Sequence, residues 1–420
     1  MRIAKNIFAN IDLVTVSLYV LLIIFGWLNI YASQYNDDLN FTLDFTTRYG
    51  KQLFFILFSS FVAFIILIID WKFFYSLSYI FYVAIIILLI SVLIIGSVTS
   101  GATSWFEIGG LKFQPSEFAK FTTALALAKF FNMQHIKNLN LKTKILSYLI
   151  IAIPFLLIIL QNDTGTALVY CSFILVLYRE GLSTNILIFL LIIAILFTLT
   201  LLIDKVILGS IFTVITLVFS FIFRKNKKDL FTILIGWCIS LLFILSVNYI
   251  FNEVLSPHQS KRINVLLGKE FDPYGAGYNL IQSKIAIGSG GFAGKGYLKG
   301  TQTRFDFVPE QSTDFIFCTI GEEWGFVGSA GFVFIFMGMI LRLVFLAERQ
   351  RSNYSRIYGY SVACILFAHF VINIGMTIGL LPVIGIPLPF ISYGGSSLLG
   401  FTILLFIFLN LDSYRLQILR

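Results

Sequence analysis

A chain of 420 residues that is 58% hydrophobic and only 12% charged, with a mean hydropathy of +0.91, is not a soluble globular protein, since soluble domains carry charge on about a quarter of their residues. Repeated apolar runs of about 20 residues mark a polytopic helical membrane protein, and their lack of strict alternation excludes a transmembrane β-barrel. The net charge of +9 would suit nucleic acid or anionic lipid, but the basic residues gather at the ends of apolar runs. They read as a topology signal, and no nucleic-acid partner is expected.

The expected fold class is all-α, with about 10–12 transmembrane helices and one long extracytoplasmic loop. Met1-Arg2-Ile3-Ala4-Lys5 precedes an apolar run from Leu13 to Ile30. That run exceeds the roughly 7–15 residues of a signal-peptide core, so it reads as an uncleaved first span. Candidate spans lie at 12–31, 50–69, 73–96, 115–131, 145–161, 164–179, 184–203, 206–223, 230–251, 313–341, 357–381 and 391–410. With the N-terminus in the cytoplasm, the segments on that side collect basic residues, from Arg2 and Lys5 through the run Arg224-Lys225-Asn226-Lys227-Lys228 to Arg349, Arg351, Arg356 and Arg420. The short outer loops hold only Arg48, Lys51, Lys112 and Lys205. This asymmetry places segment 252–312 outside the membrane. The chain reads as a single transmembrane domain, 1–420. Within it, the 184–251 block has three closely spaced spans with few polar residues and reads as a lipid-facing bundle edge. Cys171, Cys238, Cys318 and Cys364 all lie in apolar runs, so neither a disulfide framework nor a zinc or iron–sulfur site is expected.

Polar residues at span ends come next. Gln114-Pro115-Ser116-Glu117-Phe118-Ala119-Lys120 opens the fourth span, with proline where a first helical turn accepts it. Glu117 and Lys120, three apart, share a helix face. An ionised group deep in the bilayer costs about 2.5–3.5 kcal/mol on insertion scales, which makes the pair a functional candidate. The alternative is an interfacial ion pair that anchors the helix. Asp163, in Gln161-Asn162-Asp163-Thr164-Gly165-Thr166, either caps the sixth span or serves a site. Glu322 and Glu323, beside Gly321, Gly325 and Gly328, read as structural carboxylates bonded across the bundle. His369 and Asn373 read as packing polar groups.

The long hydrophilic segment carries Asp272-Pro273-Tyr274-Gly275-Ala276-Gly277-Tyr278. Asp272 either starts a turn or is the external carboxylate that does acid–base work, because no Ser-His-Asp or Cys-His arrangement competes with it. The run Gly288-Ser289-Gly290-Gly291-Phe292-Ala293-Gly294-Lys295-Gly296 fails as a phosphate loop. Ser289 stands where the first glycine is needed, and Gly296 follows Lys295 in place of Ser or Thr. Its backbone N–H groups, with Lys284, Lys295 and Lys299 nearby, suit an anionic head group; otherwise the run is a solvated loop.

Taken in order, Gln114-Pro115-Ser116-Glu117, Asp163-Thr164-Gly165-Thr166, the Asp272–Tyr278 stretch, Gln282-Ser283-Lys284-Ile285-Ala286-Ile287-Gly288-Ser289-Gly290-Gly291, Gly300-Thr301-Gln302-Thr303, Thr313-Asp314-Phe315-Ile316-Phe317 and Pro387-Leu388-Pro389-Phe390-Ile391-Ser392-Tyr393-Gly394-Gly395-Ser396-Ser397 resemble the SEDS family (shape, elongation, division and sporulation). The match runs through nearly the whole chain, and Gly300–Thr303 leans toward the rod-shape branch. The resemblance implies a peptidoglycan glycosyltransferase that polymerises lipid II during cell elongation, working at the outer face of the bacterial cytoplasmic (inner) membrane. It also implies a class B penicillin-binding protein as transpeptidase partner, among other elongation-complex proteins.

By motif match, Asp272 takes the place of the family's essential acid, and Glu117, Lys120 and Asp163 match polar cavity positions. Arg262, Lys284 and Ser392 complete the expected substrate-binding set. Positive charge for the leaving group is expected from Lys120, Lys284, Arg262 or a divalent cation such as Mg or Mn, with no other cofactor. The family usually has about ten spans, so an added pair is expected within 184–251. The competing readings are a lipid II flippase and a non-catalytic scaffold. A flippase predicts charged groups along the full depth of several spans, whereas here most lie on the outer half or in the loop.

Overall fold

Short polar residues at the ends of the apolar runs decide where the helices begin. Asp12, Thr47, Asp70, Asp163 and Asp204 each accept a hydrogen bond from a backbone N–H of the first turn that follows, which satisfies a donor the helix itself leaves unpaired. The computed structural model describes residues 10–35, 45–99, 101–109, 111–134, 141–181, 183–224, 226–249, 251, 253, 257–269, 272, 275 and 277–415.

In chain order the elements are α1 (Leu13–Ala32), α2 (Arg48–Ile68), α3 (Trp71–Ile95), β1 (Ser97–Thr99), β2 (Ala102–Ile108), β3 (Leu111–Phe113), α4 (Pro115–Met133), α5 (Leu141–Leu160), α6 (Thr164–Tyr170), α7 (Phe173–Arg179), α8 (Thr184–Leu202), α9 (Lys205–Ile222), α10 (Lys227–Tyr249), α11 (Pro257–Leu266), α12 (Tyr278–Ser289), α13 (Thr301–Arg304), α14 (Ile316–Glu348), α15 (Asn353–Ile378) and α16 (Gly395–Ser413). The protein is a polytopic helical membrane protein, with helix in every expected span. Among the described residues, nine helices are long and apolar enough to cross a membrane.

Three features differ from the sequence reading. The sixth expected span is two short helices, α6 and α7, joined at Cys171-Ser172 through tight turns whose amides reach back three residues. The stretch between α3 and α4 is a three-stranded antiparallel sheet in the order β1-β2-β3. β1 and β3 have three residues each, and the seven of β2, Ala102-Thr103-Ser104-Trp105-Phe106-Glu107-Ile108, do not alternate apolar with polar. The long hydrophilic segment is partly helical, carrying α11, α12 and α13.

By its contacts the chain forms two units, Met1–Gly181 with Asn279–Arg420, and Leu182–Tyr278. In the first unit α4, α15 and α16 form the interior, with most of their residues buried, whereas α5 is largely unburied. Small residues let the helices close up. A Cβ on Gly400 of α16 would meet the Glu117 carbonyl of α4 at 3.3 Å, and one on Gly26 of α1 would meet the Ile391 Cα at 2.7 Å. At one end of this bundle Arg342 donates to Asp12, and Arg349 and Arg415 donate to the buried Asp412, tying α1, α14 and α16. Burial alone would raise the Asp12 carboxyl, but hydrogen bonds from Arg342 and Thr15 outweigh it and hold the group at about 2.

The second unit holds α8, α9, α10 and α11. Its apolar core is small, built on Leu196, Leu208 and Ile244, and α9 and α10 leave nearly all of their apolar residues unburied. Helices that bury so little of an apolar surface are suited to lipid contact.

Candidate functional site

The site is built from the start of α4. Pro115 lies within its first turn, and Gln114, just ahead of it, is half-buried. Gln114 Nε2 donates to Asp163 Oδ2 at 2.9 Å, and Ser116 Oγ donates to the same oxygen at 3.1 Å. Asp163 Oδ1 accepts from the Thr166 amide at 3.0 Å. Asp163 therefore has the capping role that one sequence reading gave it. It caps α6, and it joins α6 to α4 beside Glu117. The Gln114 amide donates to Ser396 Oγ at 3.3 Å, and Ser396 Oγ donates to the Lys112 carbonyl at 2.9 Å, which brings the start of α16 to the same place.

One turn into α4, Lys120 Nζ donates to Glu117 Oε2 at 2.7 Å; the two residues are 1% and 2% exposed. The pair is thus an ion pair buried inside the helix bundle. Lys120 Nζ also lies 2.9 Å from His369 Nε2 of α15, and 4.4 Å from the centroid of the Phe401 ring of α16. Sequence reasoning missed His369 as part of this cluster, because the contact joins residues 249 apart. The usable signal was its place on one α15 face with Asn373, four residues on.

Above α15 runs the segment from Gly379 to Gly394. His369 Nδ1 is 3.2 Å from the Pro387 carbonyl, and Asn373 Nδ2 donates to the carbonyls of Ile386 at 2.7 Å and Asp314 at 2.8 Å. Ser392 sits in this segment with its hydroxyl committed to backbone. It donates to the Thr313 carbonyl at 2.6 Å and accepts from the Leu388 amide at 2.8 Å. Arg48, at the start of α2, donates to Ser312 Oγ at 2.6 Å, and Gln52 Oε1 accepts from the Gly394 amide at 3.2 Å. Burial raises the Tyr393 phenol, with the charge of Arg48 opposing. Lys284, on α12, is exposed, and its side chain passes within 3.4 Å of where a Cβ on Gly379 would stand.

The glycine-rich run is committed to α14, not left open to a head group. Amides of Lys295 and Gly296 donate to the carbonyls of Glu322 and Glu323, both at 3.0 Å, while amides of Phe326 and Val327 donate to Gly291 and Phe292 at 2.9 and 3.1 Å. The remaining glycine amides of Gly290, Gly291 and Gly294 are also donated to backbone carbonyls. Glu322 is fully buried and accepts from Lys295 Nζ at 2.7 Å and from the amides of Gln302 and Thr303 at 2.8 and 2.9 Å. It anchors residues 291–296 as a strap along α14, in line with a structural carboxylate. Tyr297, immediately after the strap, donates to the Leu28 carbonyl of α1 at 3.2 Å; burial, reinforced by Glu323 and Tyr31, pushes its phenol up to about 12.

Asp272 and Arg262 belong to the second unit. Asp272 Oδ1 accepts from the Gly275 amide at 2.9 Å, and its carbonyl accepts from the Gly277 amide at 3.1 Å. A Cβ on Gly275 would stand 2.8 Å from the Asp272 carboxyl carbon, so glycine leaves room for the carboxylate to fold over its own turn. Arg262 lies half-buried on α11. Pro273, Tyr274 and Ala276 lie outside the described residues. Among the described residues, no three His, Cys, Asp or Glu side chains group as metal ligands.

The sequence model of the cell cycle protein family matches residues 12–208 and 186–417. The chain is 37% identical over 319 residues to the peptidoglycan glycosyltransferase MrdB of Escherichia coli, covering 76% of this chain and 73% of that one. It is 32% identical over 396 residues to the peptidoglycan glycosyltransferase RodA of Treponema pallidum, covering 89% and 90%. In structure it is similar to a chain of a peptidoglycan synthase complex that coordinates polymerization and crosslinking, with a TM-score of 0.70, 27% identity and coverage of 97% and 99%. The rod shape determining protein RodA of Thermus thermophilus has the same fold, with a TM-score of 0.62 at 23% identity, covering 96% of this chain and 97% of that one. The chain belongs to the cell cycle protein family of FtsW, RodA and SpoVE.

Proposed function

We propose that this peptidoglycan glycosyltransferase polymerises lipid II at the outer face of the cytoplasmic membrane, with Asp272 as general base. The activity class follows from relatives at 32–37% identity that carry it by name. The observation that carries the site is the buried Glu117–Lys120 pair next to the half-buried Asp163. In a bundle of apolar helices such groups are costly, which makes the cluster a functional-site candidate. The reaction is an inverting transfer. Asp272 removes the proton from the acceptor GlcNAc 4-hydroxyl, whose oxygen bonds to C1 of the donor MurNAc. The bond from C1 to the phosphate oxygen breaks, and undecaprenyl pyrophosphate leaves with that electron pair. An α-phosphate link is replaced by a β-1,4 link.

Lys120 supplies positive potential from within the bundle, and Lys284, exposed, and Arg262, half-buried, are the further cations proposed for the pyrophosphate. A divalent cation such as Mg or Mn would be held chiefly by the substrate's own phosphates. The partner is a class B penicillin-binding protein that crosslinks the new strand, a reading supported by the likeness to a chain of a peptidoglycan synthase complex. General-base catalysis contributes about 10²–10⁴-fold. Asp272→Asn is accordingly expected to cut polymerisation of purified lipid II by about that factor, measured with the transpeptidase partner present and repeated with a chelator. Near-normal polymer from Asp272→Asn would remove Asp272 from the mechanism.

A further inference from the structure

The Glu117–Lys120 pair is not isolated, and the third group at the ammonium is unusual. Lys120 can only donate hydrogen bonds, so at 2.9 Å the His369 Nε2 must be an unprotonated acceptor. The proton of the neutral imidazole then sits on Nδ1 and is donated to the Pro387 carbonyl at 3.2 Å. Both ends of the ring are therefore defined, and the ring is fully buried. Phe401 packs edge-to-face on His369 with centroids 4.8 Å apart, while presenting its face to Lys120. The Pro387 carbonyl is itself fixed: Asn373 holds the neighbouring Ile386 carbonyl, and Ser392 ties the same segment to Thr313.

We propose that His369 is a positioning residue for Lys120: as the Nδ1–H tautomer set by Pro387, it accepts one ammonium proton and fixes where the charge of the Glu117–Lys120 pair lies. The proposal rests on the reading that Lys120 serves glycosyl transfer. A histidine kept only for packing would need its Pro387 bond and no acceptor at Nε2. Two substitutions separate these roles. His369→Asn keeps a donor near the Nδ1 position but withdraws the acceptor from Lys120. His369→Gln extends an acceptor to the Nε2 position.

The full chain is assayed for polymerisation of purified lipid II, with membrane level and thermal unfolding in detergent followed in parallel. His369→Asn is expected to lower kcat about ten- to hundredfold with KM within about threefold, the size of effect that misplacement of a catalytic charge produces. His369→Gln is expected to keep kcat within about threefold of the parent. In a Lys120→Met background, His369→Asn should add no further loss, since two members of one unit are not additive. Normal kcat in His369→Asn, or a defect in His369→Gln as large as in His369→Asn, would overturn the proposal, as would independent losses in the double variant. Full activity of Lys120→Met would instead remove Lys120 from the reaction, and the underlying reading with it. Loss in Lys120→Met with normal His369→Asn would sink the proposal for His369 alone.

Discussion

A general base has to be aimed, and the turn at Asp272 would aim the carboxylate proposed for that role. Its carboxylate folds back onto the Gly275 amide, and the space it occupies is the space a Cβ at Gly275 would need. Gly275→Ala would push the carboxylate aside without touching an apolar core. A displacement of about 1 Å at a catalytic group can cost about 10²-fold, so a drop of roughly ten- to hundredfold in lipid II polymerisation is expected, with thermal unfolding unchanged. A fully active Gly275→Ala chain would show that this hold on Asp272 is dispensable. The turn was legible because its chemistry is local: Asp, Pro and two Gly within seven residues declare it. Asp163 was legible in the same way, since capping is a short-range act. His369 was not, because what makes it more than a packing group is a lysine on another helix.

At the level of elements, α14 shows how a helix can be interrupted without leaving orphaned polar groups. Gly325 takes φ 63° and ψ −160°, a conformation closed to side chains, and the strap 291–296 supplies the hydrogen bonds that the helix forfeits there. The sequence disclosed the ingredients, a glycine cluster beside Glu322 and Glu323, but not the pairing of two segments about thirty residues apart. Its loop-like composition suggested an open surface, whereas tertiary hydrogen bonds used the amides. Gly325→Ala would place a Cβ 2.8 Å from the Ala293 carbonyl carbon and 2.9 Å from the Gly294 Cα. Backbone strain of about 1–3 kcal/mol and overpacking of about 1–3 kcal/mol should lower the unfolding temperature and the membrane level. Gly338→Ala, in the same helix with nothing within 4 Å of its Cβ position, should be neutral or slightly stabilising. Equal behaviour of the two variants would contradict a structural role for the break.

For the whole molecule, the apolar runs carried the fold class because a bilayer leaves the backbone few alternatives to helix. Span ends were harder, since α4 carries Glu117, Lys120 and Lys129 and its hydropathy alone does not mark it as a crossing. What hydropathy does not supply is orientation, and the mechanism depends on it: lipid II can be polymerised into wall only if the segment bearing Asp272 faces away from the cytoplasm. The distribution of Lys and Arg argues for that orientation, and the bias acts close to span ends such as the start of α3, where Lys72 lies in the first turn. Lys72 and Lys269 are both exposed, so each can report its own side. In a chain whose four native cysteines are replaced by alanine, Lys269→Cys should react with a membrane-impermeant thiol reagent in intact spheroplasts. Lys72→Cys should react only after the membrane is opened. The reverse pattern would put Asp272 on the cytoplasmic side, where an extracytoplasmic polymerase has no use for a general base, and it would leave the buried Glu117–Lys120 pair in need of another role.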